Sequence, residues 1–324
     1  MDAAVANEII AAEVVSDAVA KAYGLVPDEA ALIRRGFNDT YRLDANGERR
    51  VARVYLAGKY YLHDNDDIRF ELDMLSHLGT RGVPVSVPLP RRDGELLGTV
   101  TDASGAARPF ALFTWAEGDT VEGHVHPETP VNFGRSLAQV HVEADTFDSP
   151  YSRYRLDASY LVDQPERLMA GKFAAQADER FESYRGLFAE MRAFLATQPN
   201  DLPAFGYLHG DPHGRNAHAD KQGSVTLFDF DHGGFGWRAY DVLTAMASVP
   251  EDRRGDFLES YRSVRPSFTG DEATLLRWLP IRMVWDIGDM LAMAPVMGND
   301  FNPPLDEGVQ FLDRVKERWQ NAGP

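Results

Sequence analysis

Cysteine is absent from this chain of 324 residues, and its absence excludes disulfides, thiolate zinc sites and cysteine nucleophiles. Basic side chains are scarce beside acidic ones, with 33 Lys and Arg against 50 Asp and Glu, for a formal net charge of −17. That balance argues against nucleic-acid binding and against an anionic membrane surface, since both draw on clustered cations. No apolar run approaches the ~20 residues of a membrane span. We expect a cytoplasmic protein. Its net negative charge keeps it soluble and also favours cationic substrates by electrostatic steering.

The hydrophobic pattern divides the chain into a strand-rich first part and a helical remainder. After an amphipathic helix over residues 5–22, alternating apolar positions predict three consecutive strands, the second and third of which turn at Asn46-Gly47. A helix over residues 66–78 separates these strands from a further hairpin. Predicted strands cover residues 31–37, 41–45, 50–55, 96–101 and 108–115. Predicted helices cover residues 130–144, 163–171, 175–197, 238–248, 252–264, 272–298 and 305–320, with a loop-and-strand insert at 205–231.

This order of elements predicts an α+β fold. A small antiparallel sheet with one key helix is followed by a short linker and a larger, mainly helical part, which is the order of a bilobal protein-kinase-like fold. The predicted boundaries are residues 1–115 for the first lobe, 116–119 for a hinge and 120–324 for the second lobe.

Three polar residues stand out in the loop-and-strand insert. Asp211 is followed five residues later by Asn216, and Asp229 ends a β-prone run thirteen residues further on. Isolated, a D-x-x-x-x-N spacing is more often an Asx-turn pair in a loop. Here a strand end places a further carboxylate beside the loop. Magnesium takes hard oxygen ligands from one or two side chains, which Asn216 and Asp229 supply, and Asp211 then stands where a hydroxyl could be oriented or deprotonated.

The chain resembles the aminoglycoside phosphotransferase and choline kinase family, which has homoserine-kinase-like and stress-kinase relatives. The resemblance extends from about Ile33 to at least Ala247 and implies a kinase-like fold with ATP as donor and magnesium as cofactor. It implies Asp211 as catalytic base, Asn216 and Asp229 as metal ligands, and Asp241 as a support of the catalytic loop. The motifs that carry it are His-Gly-Asp-Pro-His-Gly-Arg-Asn at 209–216, Phe-Asp-Phe-Asp at 228–231 and Tyr240-Asp241.

Several residues of the first part are candidates for the nucleotide. Gly36 and Asn38 lie in the turn between the first two strands, which alone is a plain hairpin but which the resemblance makes the nucleotide loop. Arg53 lies in mid-strand, where protein kinases have a phosphate-pairing Lys, and Glu71 is its expected partner. Three residues leading into the hinge are expected to meet the adenine edge with their backbone: Thr114, Trp115 and Ala116.

The acceptor site is the least readable part of the sequence. Asp286 and Asp289 share a helix face beside Trp285 and suit an amine-bearing acceptor, although salt bridges on a helix explain them better. Arg215 departs from the family's usual His-Pro-Gly-Asn loop ending and is the residue where we expect this protein's own specificity. The complete set of acceptor candidates is His213, Arg215, Asp231, Tyr240, Trp285, Asp286 and Asp289.

These observations predict an ATP- and magnesium-dependent phosphotransferase that acts on a hydroxyl of a small molecule, such as an aminoglycoside or an amino alcohol. A cationic acceptor is among the expectations. One alternative is a Ser/Thr protein kinase of the stress-kinase type, which the missing Ala-Pro-Glu segment after Asp229 weakens. Another is a non-catalytic nucleotide-binding module. His124 and His126 have metal-ligand spacing but no third ligand, and we interpret them as surface residues near the hinge.

Overall fold

The computed structural model describes residues 7–103, 105–123, 126–298 and 303–322. The chain forms two compact units. Within the described residues, no helix is both long enough and apolar enough to cross a membrane. The first unit comprises Met1–Glu117, Phe147–Ser152 and Met293–Asp300, and the second comprises Gly118–Thr146, Arg153–Ala292 and Phe301–Pro324.

The first unit contains, in chain order, α1 (Ala12–Tyr23), β1 (Glu29–Arg35), β2 (Asn38–Ala45), β3 (Glu48–Tyr55), α2 (Asn65–Thr80), β4 (Gly98–Thr101) and β5 (Ala107–Thr114). The strands form one antiparallel sheet in the order β1-β2-β3-β5-β4. Asn46 and Gly47 both have positive φ and turn the β2–β3 hairpin, as their sequence predicts. Val15 and Val19 of α1 are fully buried in a cluster with apolar residues of β2, β3, β4 and β5.

The helix α1 begins later than the predicted helix over residues 5–22. Backbone carbonyls ahead of α1 bond to side chains of the sheet instead of continuing a helix. The carbonyl of Glu8 accepts from Nη1 of Arg108 at 2.9 Å, and that of Ile10 accepts from the hydroxyl of Tyr41 at 2.6 Å. These tertiary bonds satisfy carbonyls that the apolar spacing assigned to a helix.

The second unit is mainly helical, and its strands form two small sheets, ordered β10 (Val225–Leu227), β9 (Ala217–Ala219), β6 (Asp119–Thr120) and β7 (Arg155–Leu156), β11 (Gly234–Trp237), β8 (Phe205–Leu208). With the sheet of the first unit, this confirms the predicted α+β class. Its elements, with the last residue of α9 assigned to the first unit, are β6 (Asp119–Thr120), α3 (Thr129–Ala144), β7 (Arg155–Leu156), α4 (Gln164–Ala174), α5 (Arg185–Ala196), β8 (Phe205–Leu208), β9 (Ala217–Ala219), β10 (Val225–Leu227), β11 (Gly234–Trp237), α6 (Arg238–Met246), α7 (Arg254–Val264), α8 (Glu272–Leu276), α9 (Leu279–Met293) and α10 (Leu305–Asn321).

Two predicted helices are shorter or divided. The helix predicted over residues 175–197 begins only with α5, because Ala177 adopts a positive φ of 53° in the turn after α4. The helix predicted over residues 272–298 is two helices, α8 and α9. Pro280 is the second residue of α9, a position that tolerates its missing N–H, whereas a continuous helix would need that donor. The short strands β6, β7 and β11 were not predicted, since two residues or a Gly-Phe-Gly-Trp run give no strand pattern.

Candidate active site

Arg53 forms a buried ion pair in the first unit. It lies within β3, and its Nη1 donates to Oε1 of Glu71 at 2.6 Å. Glu71 lies on α2, whose N-terminus is fixed by a capping box between Asp64 and Asp67. The Arg53 and Glu71 side chains are 9% and 0% exposed, and the guanidinium lies 4.9 Å from the centre of the Phe113 ring. The predicted pairing is confirmed, and the binding of a nucleotide phosphate by Arg53 stays a prediction.

Asn38 is anchored by a buried lysine. Its Oδ1 accepts from Nζ of Lys59 at 2.6 Å, and Lys59 is only 3% exposed. The Lys59 ammonium lies 5.3 Å from the centre of the Tyr55 ring, a cation–π contact. Gly36 closes the turn before β2 by donating its N–H to the carbonyl of Asn38 at 3.1 Å. The turn predicted to be the nucleotide loop is therefore held in place by two oxygens of Asn38, the side-chain Oδ1 and the backbone carbonyl.

The end of β5 leads into the segment predicted to meet adenine. The N–H of Thr114 donates to the carbonyl of Val87 at 2.9 Å. The carbonyl of Thr114 accepts from the hydroxyl of Ser86 at 2.6 Å. Thr114 therefore uses its backbone to hold the neighbouring segment. Adenine contacts by Thr114, Trp115 and Ala116 stay a prediction.

Asp241 holds the loop that carries Asp211 in the second unit. It is fully buried in the first turn of α6, and its carboxylate accepts the backbone N–H groups of His209 at 2.7 Å and Gly210 at 3.0 Å. Nε2 of His141 lies 3.1 Å from the same carboxylate. Burial raises the pKa of Asp241 to about 7, against the backbone donors that favour the ionised form. These bonds confirm that Asp241 supports the loop.

His209 joins the Asp211 loop to the segment that contains Asp229. Its Nε2 lies 3.0 Å from the carbonyl of Phe228, so Nε2 carries the proton, and Nδ1 faces the N–H of Asp211 at 3.4 Å. The ring packs on Phe230 with centres 4.1 Å apart. Burial lowers the pKa of His209 to about 4, although Asp211 and Asp229 act in the opposite direction. A neutral imidazole thus ties the two functional segments together near pH 7.

Asp211 is surrounded by hydrogen-bond donors. Its Oδ1 accepts from Nη2 of Arg282 at 2.6 Å, and its Oδ2 lies 3.4 Å from Nε2 of His213. Nδ2 of Asn216 donates to the Asp211 carbonyl at 3.0 Å and lies 3.3 Å from Oδ2. Burial alone would raise the pKa of Asp211, but Arg282 and His213 hold it well below its usual range. The side chain is therefore an ionised carboxylate in a fixed position, suited to orienting a hydroxyl.

Asn216 and Asp229 lie at the same end of the β9–β10 hairpin. Asn216 directly precedes β9 and Asp229 follows β10, while Ala217 and Leu227 pair across the hairpin. The N–H of Phe228 donates to the carbonyl of Asn216 at 3.0 Å. Asp229 has left-handed backbone angles, φ 65° and ψ 56°, which are uncommon outside glycine and cluster at functional sites. The hairpin thus brings the two predicted metal ligands together.

The donor set at this hairpin end fits a magnesium ion. Nδ2 of Asn216 is bonded to Asp211, and its Oδ1 is buried and accepts no hydrogen bond from any described residue. Such a buried oxygen is stabilised by a cation or a water molecule. With the Asp229 carboxylate it forms the pair of hard oxygens that Mg²⁺ takes from proteins. Among the described residues no group of three or more His, Cys, Asp or Glu could hold a metal.

The two histidines with metal-ligand spacing are only partly described. His124 lies outside the described residues, and the ring of His126 accepts the backbone N–H of Glu128 at 3.2 Å.

Gly214 gives a structural reason for the unusual loop ending. Its N–H donates to the hydroxyl of Ser248 at 2.8 Å, a bond that proline cannot make. A Cβ on Gly214 would lie 2.8 Å from Cγ of Glu122 and 3.0 Å from Cβ of Ser248. The neighbouring Arg215 is 68% exposed and lies 3.6 Å from the Glu122 carboxylate. Contact between Arg215 and an acceptor stays a prediction.

The helix α9 contributes a charged and aromatic cluster beside Asp211. Nη2 of Arg282 lies 2.7 Å from Oδ1 of Asp286, one turn further on, so the salt bridge favoured by their spacing is present. The Arg282 guanidinium lies 4.6 Å from the centre of the Trp285 ring. Trp285 is 2% exposed, and its indole N–H has no hydrogen-bond partner within the described ranges. This cluster joins two of the acceptor candidates to Asp211 through Arg282.

The remaining acceptor candidates differ in their surroundings. The Tyr240 hydroxyl lies 3.4 Å from Nη1 of Arg282 and so belongs to the same cluster. Asp289 is 5% exposed and lies 3.8 Å from Nε2 of His232. Asp231 is 2% exposed, and its backbone carbonyl accepts from the buried guanidinium of Arg153. Tyr240, Asp286 and Trp285 all contact Arg282. Asp289 adjoins them through His232, whose ring centre lies 5.1 Å from that of Trp285.

The roles of Arg282 and Lys59 are not evident from sequence patterns alone. The spacing of Arg282 and Asp286 signals a helical salt bridge, but the contact between Arg282 and Asp211 spans 71 residues and has no local signal. Lys59 follows β3 in a Gly-Lys-Tyr-Tyr run, and its aromatic neighbours are the only hint of burial. The contacts of both residues therefore depend on tertiary structure rather than on local sequence.

Comparison with known proteins agrees with the site's chemistry. The model of the family APH, described as a phosphotransferase enzyme family, matches residues 29–281. An uncharacterised protein of Deinococcus radiodurans is 32% identical over 323 residues, which cover 96% of this chain and 92% of that protein. A homoserine kinase of Rhizobium etli is 32% identical over 227 residues, which cover 66% of this chain and 65% of the kinase.

The fold agrees with solved structures of kinases. The structure described as amicoumacin kinase hAmiN in complex with AMP-PNP, Ca²⁺ and Ami has a TM-score of 0.69 at 15% sequence identity. The superposition covers 96% of this chain and 94% of that one. At this identity the likeness concerns the fold, and it confirms the predicted kinase-like class.

Proposed function

Since the chain belongs to the phosphotransferase enzyme family, we propose that it transfers the γ-phosphoryl group of ATP to a hydroxyl of a small molecule. The observation that carries this proposal is the Asp211 carboxylate, fixed by Asp241 in a buried loop. Asn216 and Asp229 lie at the adjoining hairpin end. This is the acid, amide and acid set that protein-kinase-like sites use for phosphoryl transfer to a hydroxyl.

Asp211 orients the acceptor hydroxyl and takes its proton. The hydroxyl oxygen forms a bond to the γ-phosphorus, the bond from that phosphorus to the β–γ bridging oxygen breaks, and ADP leaves. The hydroxyl proton passes to the Asp211 carboxylate. The carboxylate first orients the hydroxyl, and proton transfer is completed as the acceptor oxygen loses its basicity on bonding to phosphorus.

Asn216 and Asp229 are the residues that would hold a magnesium ion. The buried Oδ1 of Asn216 and the carboxylate of Asp229 offer hard oxygens, and phosphate and water would supply the remaining ligands. When bound, the ion offsets the negative charge of the nucleotide phosphates. The left-handed backbone of Asp229 supports this role, since it sets the direction of the carboxylate at a conformational cost.

Replacing Arg53 by Met is expected to weaken ATP binding by about 10- to 100-fold, because a hydrogen bond to a charged group contributes about 1.5–3 kcal/mol. Calorimetric titration with ATP measures the change. Arg53→Lys keeps a charge beside Glu71 but loses the bidentate fork. The ATP affinity of this variant is therefore expected to lie between those of the wild type and Arg53→Met. Arg42→Met removes a half-exposed arginine of the neighbouring strand β2 and serves as the matched control. Equal ATP affinity in the wild type and Arg53→Met would contradict the assignment of Arg53.

We propose that the acceptor carries an amine as well as a hydroxyl. The net charge of −17 steers cations toward the protein. Asp286 is 44% exposed, and its carboxylate suits an ammonium group. By their names, the homoserine kinase of Rhizobium etli and the amicoumacin kinase of Bacillus subtilis act on small molecules. These relatives support a small-molecule acceptor over a protein one.

An acceptor screen tests the proposal. The protein is incubated with ATP and magnesium, and ADP release is followed with amino alcohols including homoserine, aminoglycosides, choline-like compounds and neutral sugars. We expect at least one amine-bearing class to raise the rate about tenfold or more above the rate without acceptor. Stimulation confined to generic protein substrates would favour the protein-kinase alternative. Binding of ATP without turnover on any acceptor would favour the nucleotide-binding module.

A further inference from the structure

Arg282 occupies one oxygen of the carboxylate that the proposed reaction uses. Its Nη2 donates to Oδ1 of Asp211 at 2.6 Å, while Oδ2 of Asp211 is approached by Asn216 and His213 at 3.3 and 3.4 Å. Both oxygens of the carboxylate therefore have donors in the absence of an acceptor. Each carboxylate oxygen has two lone pairs, and an acceptor hydroxyl that donates to Oδ1 from the side covered by Arg282 must take the place of the guanidinium.

Arg282 has a second carboxylate ready to receive it. The same Nη2 lies 2.7 Å from Oδ1 of Asp286, on the next turn of α9. The guanidinium also lies 4.6 Å from the Trp285 ring and 5.9 Å from the Tyr240 ring, and the Arg282 side chain is 11% exposed. A buried cation that leaves one carboxylate needs another partner. Asp286 and the two rings supply it, so Arg282 can release Asp211 without becoming an unpaired charge.

We propose that Arg282 is a positioning residue that discriminates an acceptor hydroxyl from water, by covering Oδ1 of Asp211 until an acceptor displaces it. This inference rests on the proposed function. A water molecule makes fewer contacts than a bound acceptor and does not compete with a charge-assisted hydrogen bond of 2.6 Å. An acceptor brings the binding energy of its other contacts to that displacement.

Removal of Arg282 opens the competing reaction with water. In that reaction the water oxygen bonds to the γ-phosphorus of ATP, and the bond from that phosphorus to the β–γ bridging oxygen breaks. One water proton passes to Asp211, and the products are ADP and inorganic phosphate. The enzyme with Arg282 in place suppresses this reaction because Oδ1 of Asp211 is covered.

The test is the rate of phosphate release from ATP and magnesium without any acceptor. Arg282→Met is expected to raise this rate at least about tenfold, the factor that corresponds to one lost hydrogen bond to a charged group. Arg282→Gln, which keeps polar atoms without charge, is expected to raise it as well, and Arg282→Lys less than either. The double variant Arg282→Met, Asp211→Asn is expected to fall to the wild-type rate or below, since the hydrolysis it releases runs through Asp211.

Arg277→Met provides the matched control. Arg277 also belongs to the second unit and is also stacked on a ring, that of Trp319 at 3.8 Å, and its Nη1 donates to the Trp319 carbonyl at 2.9 Å. This variant is expected to hydrolyse ATP at the wild-type rate. If Arg277→Met raised the hydrolysis rate as much as Arg282→Met, loosening of the unit would be the cause and the proposal would be overturned.

Calorimetric titration with ADP is the second readout. If Arg282→Met binds ADP like the wild type yet hydrolyses ATP no faster, Arg282 does not guard Asp211 and the proposed function is untouched. If the wild type binds no nucleotide, both fail together.

Discussion

Replacing Asp211 by Asn is expected to lower kcat by about 10²- to 10⁴-fold, the range that a positioned general base contributes. The amide keeps the shape of the carboxylate but offers a donor where the acceptor hydroxyl must donate. ATP binding is expected to stay at the wild-type level, because the predicted phosphate contact of Arg53 lies in the first unit. Turnover under saturating ATP and acceptor, together with calorimetric titration of ATP, separates the two effects.

The control for Asp211 is the same chemical change at an exposed position. Asp252 lies in a short surface turn, and Asp252→Asn is expected to keep wild-type kcat. A wild-type kcat in Asp211→Asn would show that another group accepts the proton. A loss of ATP binding equal to the loss of turnover would show that Asp211 acts through the nucleotide site.

Asp241→Ala is expected to lower the free energy of unfolding of the second unit by about 2 to 6 kcal/mol, since it leaves two buried backbone N–H donors without an acceptor, each costing about 1–3 kcal/mol. The donors belong to His209 and Gly210, which directly precede Asp211. Turnover is expected to fall as well, because the loop loses the contacts that fix Asp211. Urea denaturation followed by tryptophan fluorescence measures the change, and of the five tryptophans only Trp115 lies outside the second unit.

Asp241→Asn is the graded comparison for this prediction. The amide oxygen can still accept one of the two N–H groups, so we expect roughly half of the loss seen in Asp241→Ala. Asp145→Ala offers a contrast in the same unit, because Asp145 pairs with Arg238 and Arg265 rather than with the Asp211 loop. It is expected to lower stability with a smaller effect on turnover. A fully stable and active Asp241→Ala protein would contradict the supporting role of Asp241.

The parts of the site that were predictable from sequence are those fixed by local geometry. Asp211 and Asn216 lie within one loop, and Asp229 follows the second strand of a short hairpin, so their spacing predicts proximity. Arg53 and Glu71 were predictable from the family resemblance, which implies a phosphate-pairing cation at this point of the strand with a Glu of the next helix as its partner, and a charge in an apolar strand needs such a partner. The structure confirms the Arg53–Glu71 pair and brings Asn216 and Asp229 to one hairpin end.

The parts that escaped prediction depend on contacts between segments far apart in the chain. The start of α1 was placed too early because its apolar spacing cannot reveal that Glu8 and Ile10 bond to Arg108 and Tyr41. The bond from Arg282 to Asp211 has the same origin, since the sequence around Arg282 indicates only a helical salt bridge. Acceptor recognition is the least predictable feature for this reason, because Trp285 and Asp286 of α9 are joined to Asp211 only through Arg282.

The most direct test is ³¹P NMR of a reaction that contains the protein, ATP, magnesium and the best acceptor from the screen. Transfer by the Asp211 site predicts a new phosphomonoester resonance of the acceptor that grows in step with ADP, and that is absent with Asp211→Asn. Appearance of inorganic phosphate alone, or a phosphomonoester formed equally by Asp211→Asn, would contradict transfer to a small-molecule hydroxyl through Asp211.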